Sequence, residues 1–288
     1  MVATERSVAH EAGIDWHRFA RPIRDGLSVV GVIVLAFLVA GGSGIDAHAY
    51  WAFDPAHPYR EAVASLSSAD GFRYAPPIAL LLTPLHALPW LWFRLLWIAL
   101  EVACLWLLLG RWTLAAIAFY PVALEIWGGN INIALGLAVA VGFRWPAAWS
   151  FVLLTKLTPG VGLLWFVLRR EWRSLAVALG ATLLISLPTV LLAPDLWRQW
   201  ISSLAAEAGL PALGHPMLDL PLWLRLAAAA AIVAWGARTN RQWTVVVGAC
   251  LAFPTIWWSG PSVLSAIPFV ASAKRVGASA PRAHRASP

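Results

Sequence analysis

Apolar and charged positions divide this chain into long uncharged runs separated by short polar connections. No Asp, Glu, Lys or Arg occurs in 26–45, 74–93, 112–124, 126–143, 145–155, 174–194 or 242–273. The runs 95–109 and 157–168 are equally apolar, with Glu101 and Lys156 as isolated interruptions, and 220–237 is interrupted only by Arg225. A hydrocarbon core about 30 Å thick takes about 20 helical residues per crossing. The pattern therefore predicts an all-α, polytopic integral membrane protein of roughly eight to ten transmembrane helices, some broken or re-entrant. No repeat of 20 to 50 residues suggests a solenoid.

Composition agrees with the pattern. Of 288 residues, 60% are hydrophobic and 12% charged, which excludes an ordinary water-soluble domain. Cys104 and Cys250 each lie within an apolar run, which excludes a disulfide framework and a cysteine-ligated metal. The net charge of +7 would suggest nucleic acid in a soluble protein, but here the basic residues are scattered over membrane-flanking turns and form no single face. Many of the 19 tryptophans, among them Trp90, Trp92, Trp112, Trp145, Trp172, Trp223 and Trp243, flank apolar runs as an interfacial belt does.

Arginine placement sets the expected orientation. Arg6, Arg18, Arg21 and Arg24, the cluster Arg169, Arg170 and Arg173, the pair Arg238 and Arg241, and the basic end of the chain are all placed in the cytoplasm. Residues 1–25 then form a cytoplasmic N-terminal segment, 26–273 a single transmembrane domain, and 274–288 a disordered basic tail. No small-residue cleavage motif closes the first run, which reads as a signal anchor. The acid-containing loops 43–73 and 194–219 are placed outside. Parity then requires 112–143 to make a return hairpin or a re-entrant dip around Gly128-Gly129-Asn130, and 242–273 to make two short passes.

Ionisable groups within spans cost about 2.5 to 3.5 kcal/mol each on insertion scales. Glu101, Glu125 and Lys156 therefore need reasons. Lys156 precedes Leu157-Thr158-Pro159, where the missing proline N–H favours a kink. Pairing with Glu101 or lining a cavity as an anion-binding cation would each account for it. In the first outer loop, Asp46 sits at the membrane exit, either as a general base or as a helix cap or salt-bridge partner of Arg60 or Arg73. His48 would share the face of Asp46 on a strand but not on a helix. Asp46, His48 and Asp54 match no strong metal-binding spacing, and no metal is expected.

Taken together, the layout resembles the GT-C membrane glycosyltransferases, most closely glycosyltransferase family 87, the polyprenol-phosphate-mannose-dependent α-(1,2)-mannosyltransferases. The resemblance runs over about residues 27–200. It rests on Asp46 and Tyr50 beyond span one, on Phe72, Tyr74, Pro76, Pro77, Pro84 and Pro89 around span two, and on Pro121 before Gly128-Gly129-Asn130-Ile131-Asn132. The fourth element is Lys156 and Pro159 ahead of Arg169, Arg170, Trp172 and Arg173. Gly129 stands where the family has glutamine, and the chain is shorter than usual members at its C-terminal end.

The resemblance implies a GT-C-like fold in the cell membrane, with a cytoplasmic N-terminus and an extracytoplasmic active site. It implies inverting transfer of a hexose, mannose by analogy, from a polyprenyl-phosphate donor to a glycan or glycolipid acceptor, with no cofactor besides the lipid-linked donor. Asp46 inherits the role of base by position, and His48, Tyr50, Arg73, Tyr74, Asn130, Asn132 and Lys156 are the candidate substrate-binding residues. A transporter or flippase of lipid-linked substrates, using Glu101, Glu125 and Lys156 as a buried relay, or an inactive membrane scaffold, is the alternative.

Overall fold

A computed structural model describes residues 16–42, 44–60, 71–207 and 215–278, and every described element is helical apart from one isolated bridge between Leu218 and Ile256. The N-terminal stretch before residue 16 and the tail beyond 278 lie outside the described residues.

The helices are α1 (Trp16–Ala40), α2 (Ile45–Ala52), α3 (Pro76–Leu82), α4 (Trp90–Leu109), α5 (Thr113–Ile117), α6 (Tyr120–Gly128) and α7 (Asn132–Gly142). They continue as α8 (Trp149–Thr155), α9 (Leu164–Leu168), α10 (Trp172–Leu192), α11 (Pro194–Glu207), α12 (Leu222–Thr239), α13 (Trp243–Leu251) and α14 (Ile267–Ala278). Pro76 and Pro121 stand in the first turns of α3 and α6, and Pro146, Pro159 and Pro261 in those of the short 3₁₀ helices Pro146–Ala148, Thr158–Leu163 and Gly260–Ala266, where a missing N–H leaves no helical bond unmade.

Three helices among the described residues are long and apolar enough to cross a membrane: Phe19–Ala40, Trp90–Ile117 and Trp172–Leu192. At about 1.5 Å per residue, the last spans about 31 Å, one hydrocarbon thickness. The remaining apolar runs are split. α6 and α7 meet at 110°, a broken span or a re-entrant loop within residues 112–143. The run 145–168 breaks at Lys156, which leaves helical geometry at φ −127°, ψ 102°. The helix α1 begins at Trp16, ten residues ahead of the charge-free run, with Arg18, Arg21 and Arg24 in its polar first turns.

The apolar sides of α1 and α10 are exposed on the protein, as lipid-facing helices are, with Phe37 73% and Leu183 70% accessible. α1 is held by a close crossing: a Cβ on Gly31 would lie 1.8 Å from the carbonyl oxygen of Leu114. Trp92, Trp145, Trp172 and Trp223 are exposed, whereas Trp149 and Trp165 fill the core. That core runs from Leu105 through Ile133 and Val139 to Trp149, Phe166, Val245 and Val263. A second cluster closes one end. Ala47, Tyr50, Phe53, Tyr59, Phe72, Tyr74, Phe93, Trp97 and Ile131 pack the loop after α1 onto α4 and the α6–α7 break. The candidate site lies under this aromatic cap.

Candidate active site

The break between α6 and α7 organises the polar centre. α6 closes with the Gly129 N–H on the Glu125 carbonyl at 2.7 Å, and Gly129 then turns the chain in the left-handed region at φ +70°. Glu125 points back across the break. Its carboxylate accepts the backbone N–H of Asn132 and, at 2.8 Å, the Asn132 side-chain amide. A carboxylate thus faces the N-terminal end of α7, where unpaired N–H groups and the helix dipole favour negative charge.

Lys156 enters from the other broken helix. Its Nζ donates to Asn130 Oδ1 at 3.0 Å and to Asn132 Oδ1 at 2.5 Å, and it lies 4.7 Å from the centre of the Phe253 ring. An ammonium only donates, so both amides must turn their oxygens toward it and their NH₂ groups away. The NH₂ of Asn132 goes to Glu125, and that of Asn130 goes to Asp46, with which it is hydrogen-bonded. The order across the site is Asp46, Asn130, Lys156, Asn132, Glu125: one cation between two amides, each amide holding a carboxylate.

α2 delivers Asp46 to this chain. Gly44, at φ +132°, starts the helix, and the ring of Trp90 fills the space a side chain would take there. Two glycines admit α2: a Cβ on Gly128 would meet Asp46 Oδ2 at 3.2 Å, and one on Gly129 would meet the Ala47 Cβ at 2.5 Å. Burial pushes the Asp46 carboxyl up from the ordinary aspartate value of 3.8, while the Asn130 hydrogen bond and the charges of Lys156 and Arg73 act against that rise. One turn along α2, Tyr50 shares a 2.6 Å hydrogen bond with the hydroxyl of Tyr74 and packs 5.1 Å from Trp97. Tyr59 donates to the Tyr74 carbonyl at 2.8 Å, and Trp200 of α11 donates to the Arg73 carbonyl at 3.0 Å. The second loop therefore buttresses the first.

Asp46, Tyr50, Tyr74, Asn130, Asn132 and Lys156 come together, with Arg73 close enough to act on Asp46 by its charge. His48 does not join them. α2 is helical, so two residues turn the imidazole away, and it lies 5.1 Å from Trp90 and 5.6 Å from Trp51. The expected pairing of Lys156 with Glu101 is not formed: both Glu101 carboxyl oxygens are buried without a hydrogen-bond partner. Lys156 stands beyond a helix break, and that break aims it at the asparagines. Arg60 approaches Asp54 at 4.0 Å, so it is not the partner of Asp46.

Glu125 and Phe253 were not among the expected site residues. For Glu125 the signal was present, as a carboxylate isolated between two charge-free runs. Phe253 had none, since it lies 97 residues from the lysine it covers. Along the opposite side of α6 runs a groove of about 190 Å³ lined by Leu38, Tyr120, Ala123, Leu124 and Trp127.

Comparison with known proteins bears on this arrangement. The family model of glycosyltransferase family 87 matches residues 72–271, more than two thirds of the chain. It begins after Asp46, His48 and Tyr50 and includes the asparagine pair, Lys156, Arg225 and Phe253. No curated protein and no solved structure matches. A helical membrane chain with a polar centre at broken helices, matched by this family over most of its length, is a membrane glycosyltransferase, and it belongs to glycosyltransferase family 87.

Proposed function

We propose that the chain transfers a hexose, mannose by family analogy, from a polyprenyl-phosphate donor to a glycan or glycolipid acceptor at the extracytoplasmic face of the cell membrane, with inversion and with Asp46 as base. The observation that carries this reading is the position of Asp46: a half-buried carboxylate just beyond α1, restrained by Asn130 and backed by the half-buried Lys156.

In this mechanism the acceptor hydroxyl attacks the anomeric carbon from the side opposite the phosphate. Asp46 takes the hydroxyl proton as the new C–O bond forms and the bond from the anomeric carbon to the phosphate oxygen breaks, and the electron pair leaves with the phosphate. Partial desolvation suits a carboxylate to this work, because the raised proton affinity of its ionised form strengthens it as a base. Charge building on the phosphate needs a preorganised cation. Arg73, at the rim and within electrostatic reach of Asp46, supplies it. Tyr50 and Tyr74 wall the acceptor side, and the apolar groove along α6 suits the hydrocarbon chain of the donor.

The test is incubation of membranes containing this protein with labelled polyprenyl-phosphate hexoses. Formation of a glycosylated product at the expense of the mannosyl lipid is expected. A chain that relocates the labelled lipid across the bilayer without consuming it would instead be a transporter.

A further inference from the structure

We infer that Lys156 serves the reaction as a positioning residue, acting on Asp46 through Asn130, and does not itself bind the departing phosphate. This rests on Asp46 being the base. Three observations carry it.

The first is how fully the ammonium is engaged. Of its three N–H groups, two are taken by Asn130 Oδ1 and Asn132 Oδ1, at 3.0 and 2.5 Å, and the Phe253 ring covers another side at 4.7 Å. That ring is held firmly. Arg225, itself only 5% exposed, donates to the carbonyls of Leu220 at 2.9 Å, Leu251 at 3.0 Å, Phe253 at 2.5 Å and Pro254 at 2.6 Å. The lid over Lys156 is therefore fixed by the cation of a different helix.

The second is what the ammonium does to the amides. The oxygen and nitrogen of an asparagine side chain are nearly the same size, so packing alone does not choose between them. Lys156 does choose. With its donors on both Oδ1 atoms, the two NH₂ groups face Asp46 and Glu125, and each carboxylate meets a donor. Asn130 Oδ1 also accepts the Ile131 N–H at 2.8 Å, which fills its remaining lone pair. Without the ammonium, that single backbone contact is left to stop the amide from turning its oxygen toward the Asp46 carboxylate.

The third is location. Among the described residues the hydrogen bonds of the Lys156 ammonium go to Asn130, which leads to Asp46, and to Asn132, which leads to Glu125; toward Asp46 itself it acts through its charge. Around Asp46 stand Asn130 and Glu125 from the α6–α7 break, Arg73 and Tyr74 from the segment before α3, Lys156 after α8, Tyr50 on α2, and Glu101 on α4.

The test compares full-length wild type, Lys156→Met, Lys156→Arg, Asn130→Ala and Asn130→Ala/Lys156→Met in membranes, measuring kcat, donor KM and the pH dependence of kcat/KM. Lys156→Met is expected to lower kcat by about tenfold or more with donor KM within about twofold of wild type, and to move the acid limb to higher pH. Lys156→Arg should restore part of kcat. The double variant should be no worse than Asn130→Ala alone, since both changes break one path.

A rise of about tenfold in donor KM for Lys156→Met at unchanged kcat overturns the inference and makes Lys156 a phosphate ligand. If Lys156→Met fails to accumulate, Asn130→Ala decides: a shifted acid limb at unchanged donor KM supports the relay, and an unshifted limb overturns it. Retention of activity by Asp46→Asn would instead remove the base on which the inference stands. An inactive Asp46→Asn beside a Lys156 variant altered only in KM leaves the base in place and rejects the positioning role.

Discussion

Gly129 stands so close to Ala47 that a Cβ added to it would lie 2.5 Å from the alanine methyl, and its backbone is already in the left-handed region. Glycine is thus the one residue compatible with both the turn and the neighbour. Gly129→Ala should cost about 2 to 4 kcal/mol, summing left-handed strain with overpacking. It should also displace α2, and Asp46 with it. Thermal unfolding in detergent and the transfer rate report the two effects together. Unchanged values for both would show that α2 is not seated against the glycine turn.

Tyr50 and Tyr74 share one hydroxyl–hydroxyl bond of 2.6 Å inside the aromatic cap. Removing either oxygen leaves the other buried without that partner, at about 1 to 3 kcal/mol. Tyr50→Phe/Tyr74→Phe should therefore cost less than the two single changes added together. A double-mutant cycle on unfolding free energy measures this directly. Additive single effects would mean that the hydroxyls find other partners.

Burial dominates the electrostatics of Asp46 and raises its pKa, so its carboxylate form is the penalised one. Two consequences of opposite sign follow. The base works only when ionised, so activity should rise through an acid limb lying above the ordinary aspartate range. Stability from this side chain is full below the unfolded value of 3.8 and is lost as pH rises through the raised native value. Asp46→Asn should accordingly gain in melting temperature relative to wild type as pH increases across that window. A relative loss over the same range would mean that the native carboxylate is stabilised by its surroundings.

Spans and breaks were largely legible because a bilayer leaves a strong mark on composition. An uncharged run such as 174–194 has few other uses, and the Gly128-Gly129 step inside 112–143 gave away the turn. What stayed hidden was which way side chains face. Lys156 and Glu101 both sit near the middle of their runs, and depth alone suggested a pair. The chain leaves helical geometry at Lys156, and that local change turns the ammonium toward Asn130 and Asn132. His48 likewise shows the limit. Whether it joins Asp46 depends on helix or strand, and eight residues between Gly44 and Phe53 are too few to tell by periodicity. The contacts from Phe253 and Arg225 span distances in sequence that no local pattern encodes.

Arg225 is the clearest structural cation, with donors on three backbone carbonyls at the end of α13 and on that of Leu220 ahead of α12. Arg225→Ala would leave several of those carbonyls buried and unpaired, for a loss of at least about 3 kcal/mol. The same change should reduce protection of the 251–256 amides in hydrogen exchange. If protection there is unaltered, the turn after α13 is held by other means.

The base assignment of Asp46 is tested most directly by single-turnover transfer of labelled mannose from a polyprenyl-phosphate donor, comparing wild type with Asp46→Asn at equal membrane content. Loss of general base catalysis should slow transfer by about 10²- to 10⁴-fold, while expression and membrane insertion remain normal. Transfer at close to the wild-type rate would contradict the assignment.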